Sequence, residues 1–344
     1  MIWNVGKSIL HNDDVYLVKS GATVGKVAIV ETDMRFNIWS PLAAMRANKN
    51  ILLPRYLYFF LQLKDIQDEI YAKSIGGTQP NLSMRILEQF IVRLPDIEEQ
   101  SKICDALTEI DNLITLHQRK CDETKELKKY MLQKMFPKKG EKRPEIRFSG
   151  FTDDWEQRKV SDVANIVGGG TPNTNNSEYW DGDIDWYAPA EIGEQIYVEN
   201  SERKITKLGL DKSSAKMLPA DKTVLFTSRA GIGKTAILRR PACTNQGFQS
   251  MVLNDDTNPY FVFSMTDMIK DKAERVASGS TFAEISGKML GNLEFMFPSK
   301  AEQDKIGAYF EQMDNLITLH QRKCDTLKEL KKYMLQNMFP GKDD

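Results

Sequence analysis

The strongest constraint on this chain is an internal repeat. Residues 111–137 read DNLITLHQRKCDETKELKKYMLQKMFP, and residues 314–340 read DNLITLHQRKCDTLKELKKYMLQNMFP. The two segments lie 203 positions apart and differ at only three of 27 positions. Because chance does not produce such identity, the chain is built from two copies of one unit.

Weaker similarity extends the repeat toward the N-terminal side of each copy. The segment PDIEEQSKI at 95–103 matches PSKAEQDKI at 298–306. Further upstream the displacement becomes 208, and KSGATVGK at 19–26 matches TSRAGIGK at 227–234. Each copy thus has a diverged N-terminal part, its body, followed by a near-identical C-terminal part, its tail. This indicates that the tails share a structural role, whereas each body recognises a different target.

The two copies are unequal. With the 208 displacement Met1 corresponds to residue 209, so the first copy has no counterpart of about 150–208. Small domains have little burial to spare. We therefore expect the first body to be partial, less stable than the second, and to expose apolar side chains near the missing strands.

Each tail is predicted to be a long helix. Its apolar positions alternate steps of four and three along one face, as at Ile103, Leu107 and Ile110. A helix of about 39 residues is roughly 58 Å long, so its apolar face is too long for one globular body to cover. We predict that the two helices, at 97–137 and 299–340, form an antiparallel coiled coil about a pseudo-twofold axis.

The bodies are predicted to be mixed α/β, which makes the chain α+β in class. Helix-like apolar spacing occurs at 57–70 and 260–269. Short β-rich runs bounded by Gly, Asp or Ser lie at 16–18, 27–30, 224–226 and 236–238. The predicted divisions are a partial first body at 1–96, a helix at 97–137, a basic linker at 138–149, a second body at 150–298 and a helix at 299–340.

Composition narrows the class of protein. The chain has 344 residues, 41% of them hydrophobic and 28% charged, and a net charge of −1, which is ordinary for a soluble protein. No run approaches the roughly 18 apolar residues of a membrane span, and a secretory signal is not expected. The four cysteines lack paired CxxC spacing, which argues against zinc and disulfides and fits a reducing cytoplasm. They are Cys104, Cys121, Cys243 and Cys324.

No catalytic or metal-binding constellation is evident among the titratable residues. Of the three histidines, His117 and His320 occupy equivalent positions on the predicted helix seam. Packing is therefore the better interpretation of both, and the sequence does not indicate an enzyme.

The segment RAGIGKT at 229–235 resembles a phosphate-binding loop. Such a loop needs Gly five residues before its GK[ST] element, and here that position is Ser228, with Ser20 in the first copy. A glycine turn between two strands is better supported because a similar turn occurs in both copies. The sharper hypothesis is that exposed Ser228, Arg229 and Lys234 reach DNA, since Arg suits bidentate contact with guanine and Lys acts as a point charge on phosphate.

Two more segments are candidates for contact with a partner. GGGTP at 168–172 permits close approach of the main chain, and the tryptophans that follow it, Trp180 and Trp186, are expected to pack in the core. TNQGFQ at 244–249 carries amide side chains of the kind that read adenine. The candidate DNA-binding residues are Thr171, Pro172, Ser228, Arg229, Gly231, Gly233, Lys234, Asn245, Gln246 and Gln249, with Lys19, Ser20 and Lys26 in the first body.

The order of body, long helix, body, long helix resembles the specificity subunit of Type I restriction–modification enzymes. The resemblance covers nearly the whole chain. Its segments are GGGTP…YWDGDIDW at 168–186, FTSRAGIGKTAIL at 226–238, TNQGFQS at 244–250 and EQDKIGAYFEQMDNLITLHQRK at 302–323.

This resemblance implies a function and a set of partners. Each body would be a target-recognition domain that reads one half of an interrupted double-stranded DNA sequence, and the paired helices would fix the gap and dock modification subunits. S-adenosylmethionine, ATP and Mg²⁺ would belong to modification and restriction subunits, and this chain would hold no cofactor. It departs from the family pattern because the first body lacks its own GGGTP-like loop.

Other classes of protein remain open on the sequence. The chain could be a truncated or silent recombination cassette that assembles without reading a full target, or a coiled-coil assembly protein. A stand-alone NTPase is disfavoured by Ser228 and by the absence of a matching acidic metal motif.

Overall fold

The two copies of the repeat fold into two units, residues 1–122 with 318–344 (unit 1) and residues 123–317 (unit 2). Each unit therefore combines one body with part of both long helices. The computed structural model describes residues 3–6, 9–34, 36–39, 41–74, 80–229, 231–277 and 283–340.

Unit 1 is built on a four-stranded antiparallel sheet in the order β1-β6-β3-β4, beside which β2 pairs with β5. The strands are β1 (Trp3–Gly6), β2 (Ile9–Leu10), β3 (Val15–Val18), β4 (Val27–Ile29), β5 (Phe36–Asn37) and β6 (Leu42–Ala47). Side chains alternate between the two faces of a strand, and in β3 Val15 and Leu17 are the buried pair.

The helices of unit 1 cover one face of this sheet. They are α1 (Pro54–Phe60), α2 (Lys64–Lys73), α3 (Met84–Leu87) and the first part of α4 (Ile97–Lys134). The predicted single helix at 57–70 is two helices, because Leu63 has an extended backbone (φ −57°, ψ 139°). Pro54 begins α1, where its fixed φ suits the first helical turn.

Unit 2 contains a five-stranded sheet in the order β10-β13-β12-β15-β8, a three-stranded sheet β11-β9-β14 and the pair β16-β7. Every residue of β12 and β13 is buried, as expected for central strands covered on both faces. The elements are β7 (Glu156–Lys159), α5 (Val160–Val163), β8 (Ala164–Gly168), β9 (Trp180–Tyr187), β10 (Tyr197–Val198), β11 (Arg203–Ile205), α6 (Lys207–Asp211), β12 (Thr223–Phe226), β13 (Thr235–Leu238), β14 (Cys243–Thr244), β15 (Gln249–Leu253), α7 (Pro259–Ser264), α8 (Thr266–Val276), α9 (Gly287–Gly291), β16 (Glu294–Phe297) and α10 (Lys300–Asn337).

A short strand in unit 1 takes the place that β8 has in unit 2. β8 pairs antiparallel with β15, and β1 pairs antiparallel with β6, which lies beside β3 as β15 lies beside β12. The 208 displacement would match Trp3–Gly6 to residues 211–214 instead, at the end of α6. An edge strand is held by main-chain hydrogen bonds, so a segment of unrelated sequence can fill that position.

The described residues of unit 1 contain no counterpart of the three-stranded sheet of unit 2. There, β14 pairs with β9 and Cys243 is fully buried. In unit 1 the equivalent strand β5 pairs only with β2 among the described strands. Phe36 is 42% exposed, Met34 76% and Trp39 84%. The predicted exposure of apolar side chains near the missing strands is confirmed, while the lower stability of this body stays a prediction.

The long helices pair antiparallel within unit 1. The Lys331 ammonium lies 2.7 Å from the Asp111 carboxylate, and the Nδ1 atoms of His117 and His320 are 2.9 Å apart. Positions on α4 therefore rise as those on α10 fall, and the prediction of antiparallel pairing is confirmed here. The two imidazole rings pack against each other, and burial together with the His320 ring lowers the pKa of His117.

The same contact recurs within unit 2. Lys128 lies 2.6 Å from Asp314, and these two residues are the repeat equivalents of Lys331 and Asp111. Tyr260 also donates its hydroxyl to Asp314, at 2.7 Å. The repeat therefore preserves a carboxylate on one helix and a lysine on the other, which join the helices in each unit.

A buried glutamine in the first turn or two of each long helix joins that helix to its body. The Gln100 amide donates to Ile51 O at 3.0 Å and accepts from Leu53 N at 2.9 Å. In unit 2 the equivalent Gln303 accepts from Asn258 N at 3.0 Å and donates to Pro298 O at 3.0 Å. Each glutamine satisfies main-chain groups of its body and so fixes the start of the helix.

We expect Gln303→Ala to lower the free energy of unfolding of unit 2 by about 2 kcal/mol, since it leaves two buried main-chain groups without their partner. The change should appear as a lower urea midpoint, followed by tryptophan fluorescence. Gln312→Ala, at an exposed position of α10, is the matched control and should leave the midpoint unchanged. Equal midpoints for the two variants would contradict this role of Gln303.

The segment 138–149, which the sequence marks as a basic linker, is packed onto unit 2. Ile146 and Phe148 contact the apolar core of the unit, and Ile146 N donates to Lys134 O at 2.9 Å. Phe136, just before this segment, is buried against Trp155 and Phe310. The connector is therefore part of the folded unit.

Candidate nucleic-acid interface

Three segments that the sequence singles out lie together at one end of the five-stranded sheet of unit 2. They are the end of β8 with residues 168–172, the turn 227–234 between β12 and β13, and residues 244–249 leading into β15. Because these strands are antiparallel neighbours, the end of β12 lies beside the start of β15, and an isolated bridge joins Thr227 to Phe248. The sheet topology thus brings together segments that are spread over residues 168–249 of the sequence.

Main-chain hydrogen bonds connect the three segments directly. Gly170 N donates to Thr244 O at 2.8 Å, and Ser228 N donates to Gly247 O at 2.8 Å. The Thr171 hydroxyl is also hydrogen-bonded to the Gln246 side chain. Loops held in this way present their exposed side chains in a fixed arrangement, which is what recognition of a rigid partner requires.

Gly169 approaches residues 244–245 so closely that only glycine fits at this position. A Cβ on Gly169 would overlap the main-chain oxygen of Asn245 and would lie 2.5 Å from that of Thr244. The interpretation of GGGTP as a point of close main-chain approach is therefore supported, although the group approached is another loop of the same unit.

The segment that resembles a phosphate-binding loop is a turn between two strands. The Thr227 hydroxyl donates to Gly231 O at 2.6 Å and accepts from Lys234 N at 2.9 Å. Gly231 and Gly233 have φ of +104° and +89°, which favour glycine. A phosphate-binding loop leads from a strand into a helix, whereas this turn leads into β13. The prediction of a glycine turn is confirmed. The strand-to-helix connection that an NTPase would need at this loop is not present among the described residues.

The predicted site residues of unit 2 differ in exposure. Ser228 is 0% exposed and its main-chain O accepts from Ile285 N, so the expectation of an exposed hydroxyl at this position is wrong. Its neighbours on the turn still reach the surface. Gly231, Lys234 and Gln246 are exposed, Thr171, Arg229, Asn245 and Gln249 are half-buried, and Pro172 and Gly233 are buried.

The equivalent turn of unit 1 is built in a similar way. Gly21 and Gly25 have φ of +94° and +91°. Lys26 is exposed, whereas Lys19 and Ser20 are partly buried. Of the three candidates in this body, Lys26 is the side chain best placed for a partner.

The two tryptophans after the GGGTP segment hold it and the next residue in place through hydrogen bonds from their indole N–H groups. Trp186 is buried and donates its indole N–H to Gly170 O at 2.8 Å, and the Trp180 indole donates to Asn173 O at 3.2 Å. The two rings meet edge to face with centroids 5.1 Å apart. The prediction that both pack in the core is confirmed.

Arg203 is a cation near this site that the sequence reasoning missed. It is exposed, and its guanidinium lies 3.7 Å from the centroid of the Trp180 ring. A single arginine in a polar strand gives no recognisable sequence signal. Its position over the ring follows only from the pairing of β11 with β9.

The side chains at this site can donate hydrogen bonds and present positive charge. Burial raises the pKa of the Cys243 thiol to about 11, and burial together with Asp185 raises the pKa of Tyr187, so both stay protonated near neutral pH.

Over the described ranges, no three His, Cys, Asp or Glu residues are grouped so that they could hold a metal ion. In those ranges no helix has the length and apolarity that a membrane span needs.

Comparison with known proteins agrees with this architecture. The family model of the Type I restriction modification DNA specificity domain matches residues 4–126 and 152–329. The MjaIX specificity subunit of a Type I restriction enzyme from Methanocaldococcus jannaschii is 35% identical over 194 residues, which are 54% of this chain and 44% of that subunit. The MjaVIII specificity subunit from the same organism is 23% identical over 348 residues, 97% of this chain and 80% of that subunit.

A solved structure shares the fold. The S subunit of the Type I restriction–modification system from M. genitalium superposes with a TM-score of 0.66 at 15% identity, covering 98% of this chain and 85% of that one. This chain therefore spans less than half the length of the MjaIX subunit, but most of the length of the MjaVIII subunit and of the M. genitalium S subunit.

Proposed function

The chain belongs to the family of Type I restriction–modification DNA specificity proteins, and from this premise we propose that it is the DNA-recognition subunit of such a system. Recognition of double-stranded DNA is assigned to the loops at 168–172, 227–234 and 244–249 of unit 2. The observation that carries this assignment is the set of main-chain hydrogen bonds that holds the three loops as one surface.

The side chains on this surface match the chemistry of DNA. The Arg229 guanidinium suits the two acceptors on the major-groove edge of guanine, and the Gln246 amide suits adenine. Lys234 suits a phosphate, where it acts as a point charge. Contacts to bases carry sequence information, whereas contacts to phosphates set position and affinity.

The same proposal assigns methyl transfer and DNA cleavage to other subunits of the system. Modification subunits would bind S-adenosylmethionine and transfer methyl groups, and restriction subunits would use ATP and Mg²⁺ to cleave DNA. This chain would act without a cofactor, in the cytoplasm, by directing those subunits to the target. Its support is the family to which the chain belongs.

The two units are proposed to differ in their recognition of DNA bases. The described part of unit 1 has no equivalent of the sheet β11-β9-β14 that supports the GGGTP loop in unit 2. On this basis we expect base recognition to come from unit 2 alone, as one half-site. Selection of bound duplexes from a random pool should yield one short motif, and a motif with two separated halves would contradict this expectation.

Two substitutions test the proposed roles within unit 2. We expect Arg229→Ala to weaken binding to the selected duplex about tenfold or more and to relax preference at one base pair. Lys234→Ala should weaken binding to all sequences alike and reduce the salt dependence by about one charge.

Residues at the other end of the same strands provide controls. Lys222→Ala and Arg240→Ala remove the same charges at exposed positions away from the loops, and both should leave binding unchanged. The assignment fails if the control variants lose as much affinity as Arg229→Ala and Lys234→Ala, or if the latter two bind like the parent chain.

A further inference from the structure

A cleft of about 540 Å³ in unit 1 has an unusually basic lining. Five of its lining residues are lysines and none is Asp or Glu. The cleft is bounded by the glycine turn after β3, by α1 and α2, and by the C-terminal part of α10. Its lining consists of Gly25, Lys26, Val27, Tyr58, Gln62, Lys64, Gln67, Lys328, Lys331, Lys332, Leu335 and Gln336.

One of the five lysines has a structural role. Lys331 is largely buried, lies 2.7 Å from Asp111, donates to the Gln62 side chain at 3.0 Å and sits over the Phe59 ring. These contacts fix α10 against the body of unit 1. Lys331 therefore forms the floor of the cleft.

The other four lysines are exposed. Lys64 pairs with Asp68 one helical turn away, and Lys332 lies 4.0 Å from Glu329. Exposed pairs of this kind contribute little free energy, so the ammonium groups can exchange their partner for a stronger anion. Lys26 and Lys328 are exposed on two different elements of the rim.

The turn that carries Lys26 is held rigidly at the cleft. The Gln67 amide donates to Gly25 O at 2.9 Å and also to Leu61 O, which joins the turn to α2. This turn is the repeat equivalent of residues 227–234, whose loop surface we propose to contact DNA. The basic cleft is thus continuous with the part of unit 1 that corresponds to that surface.

The repeat supplies an independent observation. The sequence KELKKYMLQ occurs in both copies, although the bodies that precede the tails have diverged. In unit 2 its lysines behave in the same way, since Lys128 pairs with Asp314 while Lys125 and Lys129 are exposed. Base reading requires side chains that differ between targets, whereas contact with phosphates does not depend on sequence. An invariant set of lysines fits the second task.

We propose that this cleft binds the phosphodiester backbone of DNA without reading bases. The proposal rests on the proposed function, because it assigns a further surface to the same duplex. A groove lined by lysines without carboxylates attracts a polyanion and concentrates it at the surface. Lysine provides point charges to phosphate without selecting bases, so the cleft would add affinity and leave sequence preference unchanged.

The test is a salt titration of duplex binding by the full chain. For Lys328→Ala/Lys332→Ala, loss of two phosphate contacts should reduce the slope of log affinity against log salt by about 1.8 and weaken binding roughly tenfold or more at 0.1 M salt. Lys26→Ala, on a different element, should reduce the slope by about 0.9. The motif selected from random duplexes should be the same for all variants.

A matched control removes two lysines of unit 1 that do not line the cleft. Lys49→Ala/Lys102→Ala should keep the parent slope, since both residues are exposed and lie in surface ion pairs. Parent-like slopes for the cleft variants overturn the proposal, as does loss of co-purifying methyltransferase subunit with DNA binding intact, which would make the cleft a protein interface. A parent chain that binds no duplex at all refutes the proposed function instead, and circular dichroism verifies that each variant is folded.

Discussion

Gly169→Ala is expected to abolish sequence-specific DNA binding, with a loss of about a hundredfold in affinity or more, the equivalent of roughly 3 kcal/mol. The added Cβ would overlap Asn245 O and press on Thr244 O, both of them main-chain atoms that cannot rotate away. The loops at 168–172 and 244–249 would have to separate, and the hydrogen bond from Gly170 N to Thr244 O would break. Overpacking of this kind also lowers the free energy of unfolding by about 1–3 kcal/mol.

A second glycine of unit 2 provides the control for this substitution. The nearest atom to a Cβ on Gly193 is Gln195 Oε1 at 3.1 Å, at the end of a flexible side chain. Gly193→Ala should therefore bind and unfold like the parent chain. Binding to the selected duplex by electrophoretic mobility shift and unfolding in urea should be measured on both variants. Parent-like DNA binding by Gly169→Ala would show that the contact between these loops does not organise the reading surface.

Arg147→Ala is expected to lower the free energy of unfolding of unit 2 by about 3–5 kcal/mol. Arg147 Nε and Nη2 donate to the two carboxylate oxygens of Glu302 at 2.7 and 2.8 Å, and Glu302 is only 1% exposed. A two-point bond of this kind is strong and directional. Removal of the guanidinium leaves a buried carboxylate without its partner, which costs far more than the loss of an exposed ion pair.

Urea unfolding followed by the fluorescence of Trp155, Trp180 and Trp186 would measure this effect in unit 2. Arg143→Ala is the control, because its pair with Asp154 is exposed on both sides and should contribute less than about 1 kcal/mol. Arg147→Met/Glu302→Met should regain much of the lost stability, since apolar residues replace both charges. A single-variant loss no larger than that of Arg143→Ala would contradict the stabilising role of the pair.

Local pattern was enough to predict the repeated elements. The spacing of Ile103, Leu107 and Ile110 predicts the face that α4 buries, and all three are buried against unit 1 or the helix seam. The β-rich runs on either side of each glycine turn are β3, β4, β12 and β13. These features depend on neighbouring residues in the sequence, because helix and hairpin geometry repeats over a few positions.

Burial of individual polar residues was not predictable in the same way. Ser228 lies next to Arg229 in a loop-like segment, yet it is fully buried because residues near 247 and 285 bond its main chain. Similarly, the apolar spacing at 57–70 predicted one helix where the backbone at Leu63 divides it in two. In both cases contacts or conformations outside the local pattern decided the outcome.

The sequence by itself determined that the chain is a repeat with two long helices. The residues of the lysine–aspartate pairs occur in both copies, but their pairing is known only from the structure. Only the tertiary structure decided how equivalent residues differ. Glu302 is buried against Arg147, whereas its equivalent Glu99 is exposed. β1 fills the edge position of β8 without sharing its sequence. The physical reason is that long-range packing and main-chain pairing depend on which segments meet in space, and neither is written in the periodicity of any one segment.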